Sequence, residues 1–153
     1  MLFRSTRLVE TDTVPKTFVA GWFLADAKSG EKEPLGQRII EIPEDLDQFE
    51  SRDPRSKFIA YAPVGSVKKG AALVTTGGGK TLPCAACHGI DLKGMGDIPP
   101  IAGRSPSYMM RQLYDIKHGA RNGPGAAQMK PVVERLAVQD MLEIVAYLTT
   151  LAP

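Results

Sequence analysis

The chain has 153 residues, of which 43% are apolar and 24% charged, and this length suits one domain or one small domain with an extension. The net charge of +2 is too small to indicate nucleic acid as a partner, and no apolar run approaches the ~20 residues of a membrane span. Residues 1–65 carry 9 Lys and Arg against 11 Asp and Glu, and residues 66–153 carry 10 against 6, so the second part is mildly basic.

Residues 1–65 show no long helical periodicity and are punctuated by prolines. Short extended segments are predicted at residues 17–23, 37–42 and 57–61, and one or two helical turns at residues 44–50. This region is too short for a sturdy core of its own. We therefore expect an irregular, partly extended N-terminal arm that packs on the second part of the chain, with its anchors at Trp22, Phe23, Ile40 and Phe58.

Residues 66–153 have the pattern of an all-helical unit with loops. Helices are predicted at residues 67–76, 106–118, 131–136 and 138–151. Ser66 and Ser105 are expected to cap the first two, and Gly119 to end the second. The apolar side of the second helix is formed by Tyr108, Met109, Met110, Leu113 and Ile116. That of the last helix is formed by Met141, Leu142, Ile144, Val145 and Leu148.

The two cysteines and one of the two histidines lie together as Cys84-Ala85-Ala86-Cys87-His88. Two thiols at this spacing can form thioethers with a haem, and the adjacent histidine can then bind its iron. A dithiol redox pair is a second interpretation, but it favours a βαβ pattern that this sequence lacks. Half of a zinc site is a third, and it needs two further ligands when His118 is the only other histidine. The motif favours haem.

A haem iron also needs a second axial ligand or an open position. Met95 follows His88 by seven residues, which is too short a path to the opposite haem face. Three other candidates lie in predicted helices, where core filling is the default role of methionine; they are Met109, Met110 and Met141. Met129 lies in a predicted loop long enough to reach the far face. His118, at a helix end beside Gly119, is expected to be a solvated residue.

The order of motifs across residues 66–153 resembles the bacterial class I c-type cytochromes. The matching stretches are residues 67–70 with 72–73, 84–89, 91–94, 99–103, 107–108 with 111–113, 119–121, 129–131 and 140–148. The resemblance implies an all-α class I cytochrome c fold, with about four helices around one haem c at residues 66–153. The arm at residues 1–65 lies outside the shared motifs, and the Thr75–Pro83 link is longer than usual.

The resemblance also implies residue roles. Cys84 and Cys87 would form the thioethers, and His88 and Met129 would be the axial iron ligands. The Pro99 carbonyl, or that of Pro100 if the register shifts by one, would accept a hydrogen bond from His88. Tyr108 and Leu113 would line the haem pocket. Gly70 would allow Tyr147 of the last helix to approach the first helix closely.

The expected function is one-electron transfer, with no residue acting as acid, base or nucleophile. Partner docking is expected near the exposed haem edge, at Lys68, Lys69, Lys80, Lys93 and Lys130. The partners would be a redox donor and acceptor, with the chain working alone or as a subunit of a dehydrogenase or respiratory complex. Two alternatives remain open, a haem enzyme or ligand sensor with an open sixth site and a haem-free thiol oxidoreductase.

Haem is attached to such motifs outside the cytoplasm, so the expected location is the periplasm. The first seven residues, Met1–Arg7, lack the apolar stretch of a secretory signal. We therefore expect a precursor that begins upstream or a trimmed form.

Overall fold

Short strands occupy the first part of the chain and helices the second in the computed structural model, which describes residues 5–153. The expectation about the first seven residues therefore lies mostly outside the described part. The helices are α1 (Leu46–Glu50), α2 (Ser66–Thr76), α3 (Ala85–His88), α4 (Pro106–His118), α5 (Pro124–Ala127), α6 (Lys130–Val133) and α7 (Val138–Thr150). A 3₁₀ turn at Gly77–Gly79 follows α2. Within the described residues, no helix is long and apolar enough to cross a membrane.

The described part of the arm, residues 5–65, contains seven strands in three small sheets. They are β1 (Ser5–Glu10), β2 (Thr13–Pro15), β3 (Thr17–Ala20), β4 (Phe23–Asp26), β5 (Lys32–Pro34), β6 (Ile40–Pro43) and β7 (Lys57–Ala62). Strand β7 pairs with β1 in parallel and with β6 in antiparallel, while β2–β5 and β3–β4 form two-stranded antiparallel sheets. The chain is therefore not purely all-α: the arm, expected to be irregular and partly extended, forms small sheets, while the expected cytochrome-like helices are present in the second part.

The predicted extended segment at residues 17–23 is in fact one strand and the start of the next. Gly21, at φ +68°, makes the tight β3–β4 turn that a continuous strand would not contain. Trp22 follows it in the turn and is 86% exposed, so its predicted role as an anchor is wrong. Ile40 and Phe58 are buried as expected, and Phe23 is half-buried.

The arm has a small core in addition to its contacts with the helices. Its buried members are Val14, Leu35, Ile40 and Ile42, with Leu24 and Tyr61 packed against them. Residues of β7 alternate between buried and less buried positions, as expected for a strand with one face on a core. The arm is therefore more ordered than its length and its prolines indicated.

A carboxylate of the arm caps the first helix of the second part. The Val67 amide donates a hydrogen bond to Glu10 Oε1 over 2.8 Å. Ser66, the predicted cap, is instead a buried first residue of α2, and Gly65 at φ +87° precedes it. An oxygen acceptor at a helix N-terminus pairs one of the amides that the helix leaves free. A residue 57 positions away supplies it here, so no local pattern predicts it.

Replacement of Glu10 by alanine should therefore destabilise the protein by about 1 kcal/mol, the usual cost of losing a helix cap. Denaturant unfolding of the haem-loaded protein would measure it. Glu50→Ala removes an exposed carboxylate of the same arm and is the control, with a change near zero expected. Equal effects of the two substitutions would show that the Glu10 hydrogen bond does not support α2.

The main core lies among α2, α4, α6 and α7. Its most deeply buried members are Val74, Val133, Leu136, Met141, Val145 and Leu148. Helix α4 has its predicted bounds, with Ser105 Oγ accepting from the Tyr108 amide over 3.3 Å and Gly119 ending the helix at φ +78°. Helix α7 ends one residue earlier than predicted. These helices form the framework that holds residues 84–103 and 129.

Candidate haem-binding site

The Cys84–His88 segment is fixed by its attachment to α2. The Cys84 amide donates to the Val74 carbonyl over 2.9 Å, and the single helical turn α3 follows directly. Cys84 and Cys87 are three positions apart on this turn, so their side chains neighbour one another on the helix surface. Cys84 is half-buried, Cys87 is exposed and His88 is only 7% exposed. One thiol and the imidazole therefore face the interior while the other thiol lies at its edge.

The His88 imidazole is oriented by the backbone of the following loop. Its Nδ1 donates to the Pro99 carbonyl over 2.7 Å, which selects Pro99 rather than Pro100 as the acceptor. Because Nδ1 carries the proton in this bond, Nε2 keeps its lone pair for a metal. The predicted hydrogen bond is thus present in the fold.

The loop that presents Pro99 is tightly packed and held by backbone hydrogen bonds. The Gly94 amide donates to the His88 carbonyl over 2.8 Å, and the Ile101 amide donates to the Leu92 carbonyl over 2.8 Å. A Cβ at Gly94, which has φ +92°, would lie 2.6 Å from the Ile98 carbonyl oxygen. The glycine is therefore required both by its backbone conformation and by the close approach of the chain.

Met129 is placed at the start of α6, half-buried and packed against the main core. It contacts His88, so a thioether side chain lies beside the buried imidazole. Met95 is 57% exposed, whereas Met109 and Met141 are buried in their helices as core residues. His118 is exposed and donates from Nδ1 to the Tyr114 carbonyl over 2.9 Å.

Contacts between distant segments hold the Met129 region in place, and no local sequence pattern predicts them. Thr81 Oγ1 donates to the Val132 carbonyl over 2.6 Å. Lys80 Nζ lies 2.6 Å from Asp140, a buried carboxylate that also accepts from the Ala137 amide at the start of α7. The long link after α2, predicted only as a departure from the family pattern, is therefore bonded to α6 and α7.

Tyr108 and Leu113, the two residues expected to line the haem pocket, lie on different sides of α4. Leu113 is buried in the main core, with Cys84 and Met129 packed against the same cluster. Tyr108 is 44% exposed and lines a cavity between α4 and the arm. Five residues on a helix turn through about 140° from the starting direction, so the two side chains cannot share one face. Tyr108 does not belong to the apolar side of α4, contrary to prediction.

The donor atoms fit a covalently attached haem better than the two other interpretations. Burial raises the pKa of the Cys84 thiol to about 11, so that it is protonated at neutral pH, whereas a reactive dithiol needs a lowered pKa. Within residues 5–153, no group of three or more His, Cys, Asp and Glu is placed to hold a metal ion such as zinc. Two thiols, an imidazole with a free Nε2 and a thioether beside an apolar core match the ligands of a haem c.

Comparison with known proteins gives the same family. The cytochrome c family model matches residues 67–152. Cytochrome c-554(548) of Halomonas halodenitrificans is 37% identical over 65 residues, covering 42% of this chain and 78% of that protein. A thiosulfate dehydrogenase electron acceptor of Stutzerimonas stutzeri is 35% identical over 83 residues, covering 52% of this chain and 37% of that protein.

A solved structure shows the same fold. Reduced cytochrome c4 of Pseudomonas stutzeri superimposes with a TM-score of 0.53 at 26% identity, covering 60% of this chain and 51% of that one. The chain thus spans most of the short cytochrome but only about a third to a half of the longer proteins. The matched residues contain Cys84, Cys87, His88 and Met129. The chain belongs to the cytochrome c family, as an electron carrier with haem c attached covalently at its Cys84-x-x-Cys87-His88 motif.

Proposed function

We propose that His88 and Met129 are the two axial ligands of the haem iron and that both stay bound while the chain carries one electron at a time. The observation that carries this is the buried His88 imidazole, fixed through Nδ1 by Pro99 and in contact with Met129. The haem, when bound, supplies the one-electron redox couple. The protein supplies the two thioether attachments, the fixed imidazole and the sulfur ligand.

The ligand pair determines what the site can do. The hydrogen bond to Pro99 raises the basicity of the His88 imidazole and fixes its plane. A methionine ligand raises the reduction potential and occupies the position at which a substrate would bind. No side chain then has to act as acid, base or nucleophile, so we propose a carrier rather than an enzyme.

The Met129→Ala variant tests the proposal. The charge-transfer band between methionine sulfur and ferric iron should disappear from the visible spectrum, and the reduction potential should fall. Met95→Ala is the matched control, because Met95 is 57% exposed, and its spectrum should equal that of the unmodified protein. An unchanged band in Met129→Ala would refute the ligand assignment. High-spin iron that binds cyanide at once in the unmodified protein would instead favour a haem enzyme or sensor.

We further propose a periplasmic carrier built of a haem domain at residues 66–153 and an arm at residues 1–65. The similarity to a thiosulfate dehydrogenase electron acceptor supports a dehydrogenase as one kind of electron donor.

Of the predicted docking lysines, Lys68 is exposed and Lys69 has an ion pair of 3.7 Å with Glu143. Lys93 Nζ donates to the Pro153 carbonyl and Lys130 Nζ to that of Lys117, over 3.0 and 3.2 Å, so most of these lysines also have structural contacts.

A further inference from the structure

A cavity of about 550 Å³ lies between the arm and α4. It is separate from the main core and from the candidate haem site, because Cys84, Cys87, His88 and Met129 are not among its lining residues. One wall comes from the arm and is apolar except for Glu41; its apolar members are Trp22, Phe23, Leu24, Ile39, Ile40, Pro43, Phe49 and Phe58. The facing wall is polar and comes from the start of α4 and the residues before it, including Ser107, Tyr108 and Arg111. We call this cavity the arm groove. Its volume is that of a small-molecule site, for which about 300–1,000 Å³ is usual.

The apolar wall is a series of aromatic rings packed edge to face. Ring centroids are 5.8 Å apart for Trp22–Phe23, 4.5 Å for Phe23–Phe49 and 5.2 Å for Phe49–Phe58. The series runs from Phe58, which is 4% exposed, to Trp22, which is 86% exposed at the rim. The inner rings are thus packed among their neighbours, whereas the Trp22 indole lines the rim with most of its surface in water.

The facing wall carries an excess of positive charge. Its two cations are Arg104 and Arg111. Arg104 is half-buried and its Nε donates to the Pro100 carbonyl over 3.3 Å. The Arg111 side chain is exposed and, among residues 5–153, makes no hydrogen bond or ion pair. Glu41 is the one acidic residue of the described lining, and its carboxylate already accepts from Ser105 Oγ over 2.6 Å and from Thr6 Oγ1 over 3.0 Å. An anion in the groove would therefore meet the Arg111 guanidinium, with the nearest carboxylate already bonded to two hydroxyls.

We propose that the arm groove binds a small amphiphilic anion, an apolar or aromatic body that carries one carboxylate. The body would lie against Trp22 and Phe23, where ring faces and edges favour aromatic contact. The carboxylate would pair with Arg111, and the Ser107 hydroxyl is a further donor on the same wall. Such a ligand touches both the arm and α4, so it stabilises the packing of the described arm residues on α4.

Isothermal titration of the haem-loaded protein with 2-naphthoate and with its neutral analogue, 2-naphthalenemethanol, tests the proposal. In the unmodified protein, naphthoate should bind more tightly than the alcohol. Arg111→Gln should weaken naphthoate roughly fivefold to tenfold, since a hydrogen bond to a charged group is lost at a partly exposed position, and should leave the alcohol unaffected. Arg121→Gln removes an equal charge outside the groove and is the control.

Ser107→Trp provides a second test, because it fills the groove from an exposed position of α4 and should abolish binding of both compounds. Naphthoate should also raise the melting temperature of the unmodified protein, but not that of Ser107→Trp. Absence of binding to the unmodified protein, or equal naphthoate affinity in Arg111→Gln and Arg121→Gln, would overturn the proposal. Neither result bears on Met129, whose role is read from the haem spectrum.

Discussion

Replacement of Gly70 by alanine should destabilise the protein by about 3 kcal/mol or more. Gly70 lies in α2 where it crosses α7, and a Cβ there would be 1.9 Å from the Glu143 carbonyl oxygen and 2.9 Å from the Tyr147 Cβ. Inside a helix, alanine is intrinsically favoured over glycine by about 1 kcal/mol. The clash is with backbone, which cannot rotate away, so the two helices must separate and the overpacking cost exceeds the gain in propensity.

Denaturant unfolding of the haem-loaded protein measures this effect as a shift in midpoint at an unchanged slope. Gly125→Ala is the matched control, because nothing lies within 4 Å of the added Cβ and its φ is not positive. That variant should be neutral or slightly more stable, since alanine restricts the unfolded chain. If Gly70→Ala were as stable as Gly125→Ala, the close crossing of α2 and α7 would be wrong.

The same crossing shows what the sequence could predict. Gly70 and Tyr147 were paired through the family resemblance, and Gly70 is indeed where the two helices touch. The bounds of α4 were predicted from Ser105, Pro106 and Gly119 alone, because a cap, an N-terminal proline and a C-terminal glycine act locally. Features that depend on neighbouring residues or on a shared family pattern were therefore accessible before the structure.

The arm shows which features of the fold local sequence patterns do not predict. Strand β1 pairs in parallel with β7, so that Ser5 lies beside Lys57, and such a pairing across some fifty residues leaves no mark in local sequence. Strands of three or four residues, such as β2 and β5, are too short for alternation to be distinguished from irregular chain. The Glu10 cap on α2 and the Thr81 bond to Val132 are likewise contacts between distant segments.

For the candidate site, the sequence identified the residue types and the structure supplied their orientation. The family resemblance pairs His88 with Pro99, and their 2.7 Å hydrogen bond is present. Tyr108 is expected on the same helix side as Leu113, but the helical angle of about 140° between them places Tyr108 on the arm groove instead.

His88→Ala should have the largest effect of any substitution at the site. The variant loses the only imidazole that the fold buries beside the cysteines, and the Pro99 carbonyl loses its partner. Loss of a metal ligand is among the changes that can lower the free energy of unfolding by more than about 4 kcal/mol. A bound cofactor also stabilises only the folded chain, so weaker haem binding lowers stability further. We therefore expect His88→Ala to accumulate poorly and to melt well below the unmodified protein, as followed by haem-stained yield and thermal unfolding.

His118→Ala separates this effect from the loss of any histidine. His118 is exposed, stacks on Tyr114 with ring centroids 4.1 Å apart, and lies at the end of α4. Its replacement removes one ring contact and one exposed hydrogen bond to the Tyr114 carbonyl, so yield, visible spectrum and melting temperature should remain close to those of the unmodified protein. Normal yield and unchanged melting of His88→Ala would contradict its role as an iron ligand. An equal loss in both variants would mean that the defect arises elsewhere than at the haem.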